Sequence, residues 1–450
     1  MVRHLSALSA WSRRHSRTLT TTGVLGYATV VHLVYSLAIA PRFAYLGYTY
    51  RSPEILGYVA AITGACAVAQ LLPQTLRRAS DFVLWMLFVL AVLPSVLVVH
   101  YSGFTTPWLA FAGSGALLVV YGAAVVATRR SAPPVRLGLD LSPFTFWAIF
   151  GAVTATTYVY LALTLGLKVN VVSIFDVYAL RADYKAGLAT APGLAYLVSI
   201  QANVLNPFVF ARGIYSRRWS LVLAAVLGQV LIYSVAGLKT VLFSVPAFVV
   251  VALLFRSSSR PAGHIFLWGA VIAAIAALVA DTILKSYVAT SLFTRRFLVT
   301  SGMLMSAYLA FFSENPPAML GYSVLAGRVD YPYSSTPARV VGEWVTGSDG
   351  IAMNAHFLAD GFANFRWLGI VGAAAVLVIY LRVLDRVTVG VPLAVVGVIM
   401  VMPSITVSNT SILTAMLSHG LVACVVLFAA CPRTGWGLTR PTGLDALARP

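Results

Sequence analysis

Charge is what this sequence has least of. Asp, Glu, Lys and Arg together make up 10% of its 450 residues, and only 13 of them are acidic. A soluble domain carries about 25% charged residues, so this chain cannot cover a water-facing surface. Lysine is reduced to Lys168, Lys185, Lys239 and Lys285; every other basic residue is arginine. Cysteine is equally sparse: Cys66, Cys424 and Cys431 show no CxxC or metal-ligand spacing. Cys66 and Cys424 fall inside apolar runs, where small core residues are expected rather than ligands or disulfides. No Walker loop and no GxSxG elbow occurs, which argues against nucleotide binding and a serine nucleophile. Charges within the apolar runs are few and no internal repeat is visible, which counts against a proton- or ion-coupled carrier.

What is abundant is apolar length. Hydrophobic residues reach 60% and the mean hydropathy is +0.88. Runs of about 20 apolar residues, enough to cross a bilayer as a helix, recur from end to end. They predict an all-α, polytopic integral membrane protein, a single domain over 1–450. About twelve spans are expected, near 22–40, 53–73, 81–100, 107–127, 143–165, 191–211, 219–236, 240–255, 264–284, 367–384, 390–406 and 411–430. Gly166 and the glycines within the runs fit helix packing.

The net charge of +18 would suggest nucleic acid in a soluble protein; here it follows topology. Arg3, Arg13, Arg14 and Arg17 precede the first run, with no small-residue cleavage site after a short apolar core. With a cytoplasmic N-terminus, the inner segments hold Arg77/Arg78, Arg129/Arg130/Arg136, Arg212/Arg217/Arg218, Arg256/Arg260, Arg382/Arg386 and Arg433/Arg440/Arg449. Every inner loop obeys the positive-inside rule, so both termini are expected in the cytoplasm. Two outer loops, about 166–190 and 285–366, are then long, and with Asp281 they hold eight of the 13 acids. Long loops in compact proteins are usually functional or disordered. The second is too rich in aromatics for disorder, so chemistry is expected on the outer face.

Candidate residues gather there. Lys239, in the tight turn after Ala236, together with Arg181, Arg295 and Arg296, can converge on phosphate; lipid-headgroup anchoring is the alternative for each. Asp281 and Lys285, four apart, can pair with each other. Asn354 to Asn364 reads as a helix leading into a span, on which His356, Asp360 and Asn364, four apart in turn, share a face. A carboxylate beside an imidazole can take a proton from a sugar hydroxyl, or the pair can simply cap and orient the loop. No further clustered ligands support a metal. Asp176, Glu314 and Glu343 are further acids in these loops; Asp330 and Asp349 read as solvated surface.

Taken in order, these segments resemble the oligosaccharide repeat-unit polymerases of bacterial surface polysaccharides, the O-antigen polymerase (Wzy-like) family. The matching pieces are Ser80 to Phe88 with Pro94-Ser95, Asp176 to Tyr184, Asn206 to Phe208, Gly228-Gln229 and Gly237 to Phe243. Arg295 to Phe297, Phe311 to Asn315, Asn354 to Asn364 and Asn409 to Gly420 complete the set. Two positions depart from the pattern: Arg366 stands where the family has glycine, and His356 where it more often has a neutral polar residue.

The resemblance implies a glycosyltransferase without a cofactor or metal in the bacterial plasma (inner) membrane, its site facing the periplasm or cell exterior. The outer loop, carrying short helices, would form a cavity over the bundle in the manner of GT-C enzymes. Its donor and acceptor would both be polyprenyl-diphosphate-linked oligosaccharides. Asp360 and His356 would be catalytic, with Asp360 favoured as the base. Arg181, Lys239, Arg295, Arg296, Asn354, Asn364, Glu314 and Asp176 would bind substrate. Membrane lipids, a flippase and a chain-length regulator are the implied partners, with no nucleic acid. A ligase-like transfer to another acceptor, or a non-enzymatic flippase of lipid-linked oligosaccharide, is the alternative. A flippase would need charges deep in a central cavity, whereas these lie in loops.

Overall fold

In a bilayer only helices and closed barrels satisfy every backbone N–H and C=O, and this chain takes the helical solution. The computed structural model describes residues 15–130, 134–139, 141–166, 177–258, 260–434 and 436. Among them the regular structure is helical, apart from one isolated bridge between Thr75 and Ala262. Local signals set several helix starts. Thr106 accepts the Leu109 N–H and Ser142 the Thr145 N–H, each followed by proline in the first turn. Glu54 caps Ile55–Leu71 through the N–H groups of Leu56 and Gly57, at 2.9 and 2.6 Å.

Ten helices of the described residues are long and apolar enough to cross a membrane, or eleven if the bent pair Ile412–Ser418 and Leu421–Ala430 is one span. Each of the twelve expected spans coincides with helix, but not always with a full-length one. Ile55–Leu71 and Leu393–Val407 are short, and the last span is bent by 52°. Thr290–Glu314 corrects the expected 285–366 loop: 25 residues of it form an apolar helix, because the stretch from Met303 to Phe312 is buried in the bundle.

The chain divides into two compact units. One comprises Met1–Pro133, Arg260–Arg382 and Ser404–Thr414; the other comprises Pro134–Ser259, Val383–Pro403 and Ala415–Pro450. The first unit is built on three parallel helices, Ser16–Leu46, Ala79–Val98 and His264–Ile283. Their register is read from contacts: Ser16 with His264, Trp268 Nε1 to the Leu19 carbonyl (3.0 Å), Phe82 against Phe266, and Tyr27 Oη to the Val89 carbonyl (3.0 Å). Ala79–Val98 is central, with 94% of its apolar window buried. The bundle therefore has a Ser16 end and an Asp281 end.

The unexpected Thr290–Glu314 segment begins at the Asp281 end, where the Asp281 carboxylate accepts the N–H groups of Ala289 (3.0 Å) and Thr290 (2.7 Å). Its middle reaches the depth of Tyr27, whose hydroxyl also donates to the Leu298 carbonyl (3.3 Å). From there Ser301 donates to the Leu90 carbonyl (2.7 Å), and Ser306 accepts from Ser102 (2.6 Å). Partner numbers rise with residue number, so this half runs parallel to Ala79–Val98. Both ends of the segment thus lie at the Asp281 end of the unit.

Phe357–Val387 is likewise not one straight helix. Phe365 (φ −142°, ψ 25°) and Arg366 (φ 51°, ψ −133°) break it, and Gly361 and Gly369 pack backbone to backbone with no room for a Cβ on either. Eight residues of straight helix would hold them about 12 Å apart. The chain therefore folds back at 365–366, leaving a short helix, 357–364, against a separate span from 367, where the sequence predicted one.

The second unit packs Pro143–Leu165, Leu194–Ser216, Trp219–Ala236 and Lys239–Arg256 around a buried polar network. Gln229 Nε2 donates to the Ala202 carbonyl (2.9 Å) and to Ser244 Oγ (2.8 Å). Asn206 Nδ2 donates to Gln229 Oε1 (3.1 Å), and Gln201 Nε2 to Asn206 Oδ1 (2.8 Å). Buried polar groups need such partners. Asn206 and Gly228-Gln229, two pieces of the family-like pattern, are thereby joined in one structural cluster.

Candidate active site

The short helix 357–364 places the best candidate chemistry. His356 stands at its N-terminus with its side chain fully buried. The Leu358 N–H donates to His356 Nδ1 (3.2 Å), so the ring proton is on Nε2, which donates to Ser95 Oγ (2.8 Å). Ser95 in turn donates to the Ser301 carbonyl (3.4 Å). Both ring nitrogens are thus engaged, and burial pushes the imidazole's pKa down to about 3. Ser95 belongs to the family-like Pro94-Ser95 piece, which the structure brings to His356.

One turn on, Asp360 is only half-buried. Its Oδ1 accepts from Tyr322 Oη (3.0 Å), and the Ser411 hydroxyl also bonds the carboxylate. Asn364 completes the face. Its Nδ2 donates to the Asp360 carbonyl (2.8 Å) and reaches Tyr322 Oη (3.4 Å), while its Oδ1 accepts the Leu320 N–H (2.8 Å). The Met319 N–H bonds the Asn364 carbonyl and the Ala318 N–H that of Ala363, so residues 318–322 are strapped onto the helix. Met319 and Leu320 take left-handed conformations to do so, φ 49° and 55°, a costly arrangement for residues with a Cβ.

Aromatic rings extend from this point. Tyr322 contacts Tyr331 at 5.9 Å between centroids, Tyr331 contacts Tyr333, and Tyr333 contacts Phe311 and Phe312; Trp344 bridges Phe311 and Phe104. Tyr308 donates to the Met353 carbonyl (2.9 Å), fixing the extended approach on which exposed Asn354 lies. Arg366 bonds the Asn315 carbonyl (3.4 Å), and Glu314, next to it, is exposed, as is Glu343.

The expected cations fall into two groups. Arg181 and Lys239 both belong to the second unit: Arg181 Nε donates to the carbonyl of Gly237 (3.0 Å), whose left-handed turn (φ 62°) precedes the helix that begins at Lys239. Arg295 and Arg296 belong to the first unit. The Arg295 guanidinium lies over Phe43 (4.4 Å) and Tyr48 (5.6 Å) and donates to Ser291 Oγ (3.3 and 3.0 Å); Arg296 is exposed. Asp281 does not pair with Lys285. Its oxygens are taken by Ser286, Ala289 and Thr290, and Lys285 is exposed at φ 48°. Asp176 lies outside the described residues.

Sequence reasoning missed Tyr322, Ser411 and the Arg295 cage. Ser411 sat within the quoted Asn409 to Gly420 piece; Tyr322 and the cage carry no local signal. Chemically, Asp360 is a half-buried carboxylate steadied by two hydroxyls, beside ring faces suited to a sugar's apolar face. Among the described residues no group of three His, Cys, Asp or Glu could hold a metal ion. No family model matches the chain, and no curated protein and no solved structure is found similar to it.

Proposed function

We propose that this protein is a membrane glycosyltransferase that joins polyprenyl-diphosphate-linked oligosaccharide repeat units on the outer side of the bacterial plasma membrane. Asp360 carries the reading: a half-buried residue whose carboxylate is held by Tyr322 and Ser411 on a short helix, under an aromatic-rich loop. In this reaction an acceptor sugar hydroxyl attacks the anomeric carbon of the donor, the bond to the diphosphate breaks, and the hydroxyl proton passes to Asp360. Cations stabilise charge developing on the leaving diphosphate; Arg295 and Arg296, in the same unit as Asp360, are assigned this task. Exposed Asn354 and Glu314 contact sugar; Asn364, buried with both amide atoms engaged, instead holds residues 318–322 against Asp360. His356, with both nitrogens engaged, is a positioning residue that holds the helix N-terminus.

In this reading both termini are cytoplasmic and the Asp281 end of the first unit faces outward. The arginine distribution supports it. Arg129 bonds the Leu71 carbonyl and Arg382 the Ala127 carbonyl (2.9 Å), contacts made where the expected inner loops begin. Segment Thr290–Glu314, with both ends toward Asp281, leaves residues 315–356 on the outer side with Asp360 beneath them. The test is reconstitution with a lipid-linked repeat unit. Wild type should make longer polymer, and Asp360→Asn should turn over about 10²–10⁴-fold more slowly with binding retained. Full activity in Asp360→Asn would reject the assignment.

A further inference from the structure

Arg366 holds a backbone conformation that favours glycine (φ 51°, ψ −133°) and is exposed. The proposed reaction gives its side chain no task. A residue kept under backbone strain where packing does not demand it points to function. The turn it occupies joins the short helix of Asp360 to the span from 367, so the guanidinium travels on the same hairpin as the base. Its Nη2 donates to the Asn315 carbonyl (3.4 Å), and the next carbonyl, that of Pro316, accepts from Tyr333 Oη. Two neighbouring carbonyls thus bring the cation and the phenol together. Burial raises the pKa of Tyr333, and the Arg366 charge beside it pulls the other way.

Tyr333 is also a step in the row of rings that leads back to the base. Its ring lies 5.6 Å from that of Tyr331, which lies 5.9 Å from that of Tyr322, the donor to Asp360 Oδ1. Tyr331 Oη is likewise spent on a backbone carbonyl, that of Ser335. With their hydroxyls tied down, Tyr331 and Tyr333 are fixed rings left partly exposed, and rings ordered in advance bind at less entropic cost. Arg366 stands at the far end of this row, where a sugar other than the reacting one would lie. One long hydrogen bond engages one of its five N–H groups, and Glu314, beside Asn315, forms no ion pair with it. A planar guanidinium pairs best with a carboxylate, in bidentate fashion. A lipid phosphate would draw the side chain toward the bilayer, whereas its bond to Asn315 keeps it on the loop.

We propose that Arg366 and Tyr333 form a subsite for an acidic sugar, a carboxylate-bearing residue of the repeat unit set apart from the bond made at Asp360. The subsite rests on the glycosyltransferase reading above and makes Arg366 a specificity residue for an anionic glycan. The test uses the full-length protein, reconstituted with the lipid-linked repeat unit extracted from the cells that make it. Mass spectrometry of the sugars in that unit should find a uronic acid or another carboxylate-bearing sugar; a repeat unit without one overturns the proposal.

Arg366→Gly should raise KM for the repeat unit about tenfold, the loss of one charge-assisted pair, with kcat retained. Arg366→Lys should recover part of that loss, since it keeps the charge without the fork. Arg339→Gln, which removes another exposed charge from the same loop, should leave both constants unchanged. Thermal unfolding in detergent guards against a folding defect, which Arg366→Gly should not cause because glycine relieves the strain. An unchanged KM in Arg366→Gly overturns the proposal and leaves the cation to a lipid headgroup. An equal rise of KM in Arg339→Gln overturns it too, by making the effect one of general charge. Wild type that makes no polymer sinks the glycosyltransferase reading itself, whereas active wild type with an unmoved KM in Arg366→Gly sinks the subsite alone.

Discussion

Arg366 holds a backbone conformation, φ 51° and ψ −133°, that glycine adopts freely and a residue with a Cβ adopts only under strain. Its long bond to the Asn315 carbonyl (3.4 Å) returns little. Arg366→Gly should relieve strain of about 1–3 kcal/mol, partly offset by the freedom glycine adds to the unfolded chain. The expected outcome is a net gain of about 1 kcal/mol, read as a higher unfolding midpoint in detergent; a lower midpoint would show that the guanidinium outweighs the strain. His356 gives a pH prediction of definite sign. Its folded pKa is near 3 against about 6.5 unfolded, so the unfolded chain binds the extra proton between those values. Stability is complete above about pH 6.5 and falls as pH drops toward 3, by about 2 kcal/mol at pH 5 from this group. His100, pushed down to about 4 by burial, adds in the same direction. His356→Asn should flatten the pH dependence of unfolding by about one proton between pH 6.5 and 4.5, leaving the His100 share.

Among the elements, the hairpin of helix 357–364 against the span from 367 decides where Asp360 stands. It depends on Gly361 and Gly369, whose backbones touch. Gly369→Ala would drive a methyl into the Gly361 carbonyl, a backbone atom that cannot rotate away, and overpacking of this kind costs about 1–3 kcal/mol. Gly372, three residues on in the same helix, has open space where its Cβ would be. Gly372→Ala should therefore gain up to about 1 kcal/mol from helix propensity. Thermal unfolding of the pair checks this, with Gly369→Ala also expected to lower polymer formation by displacing Asp360. If both substitutions behave alike, the close approach is not what fixes the hairpin. Tyr322 and Ser411 act on the same element from outside it. Their hydroxyls bond Asp360 from segments far along the chain, so the site exists only when three stretches are assembled.

At the scale of the whole molecule the topology can be read directly. The proposed orientation, with residues 315–356 outside, has an impermeant maleimide label Ser348→Cys in intact cells, since Ser348 is exposed. Labelling only after permeabilisation would place the loop, and Asp360 beneath it, on the cytoplasmic side.

The sequence by itself determined that this is a helical membrane protein, and roughly where each helix lies. Apolar runs of bilayer length between arginine-bearing breaks admit little else, since an unpaired backbone in lipid is too costly. It also marked Asp360, His356 and Asn364 as one helical face, because that depends only on a local period. Tertiary structure alone decided which apolar helices turn back. Hydropathy measures the preference of a segment for burial but not its direction, so Met303 to Phe312 read as loop until Leu90, Ser102 and Tyr27 fixed its course. It likewise separated Asp360 from His356: four residues apart, Asp360 stays half-buried with its carboxylate held by Tyr322 and Ser411, while the imidazole is fully buried against Ser95, because different segments pack against each.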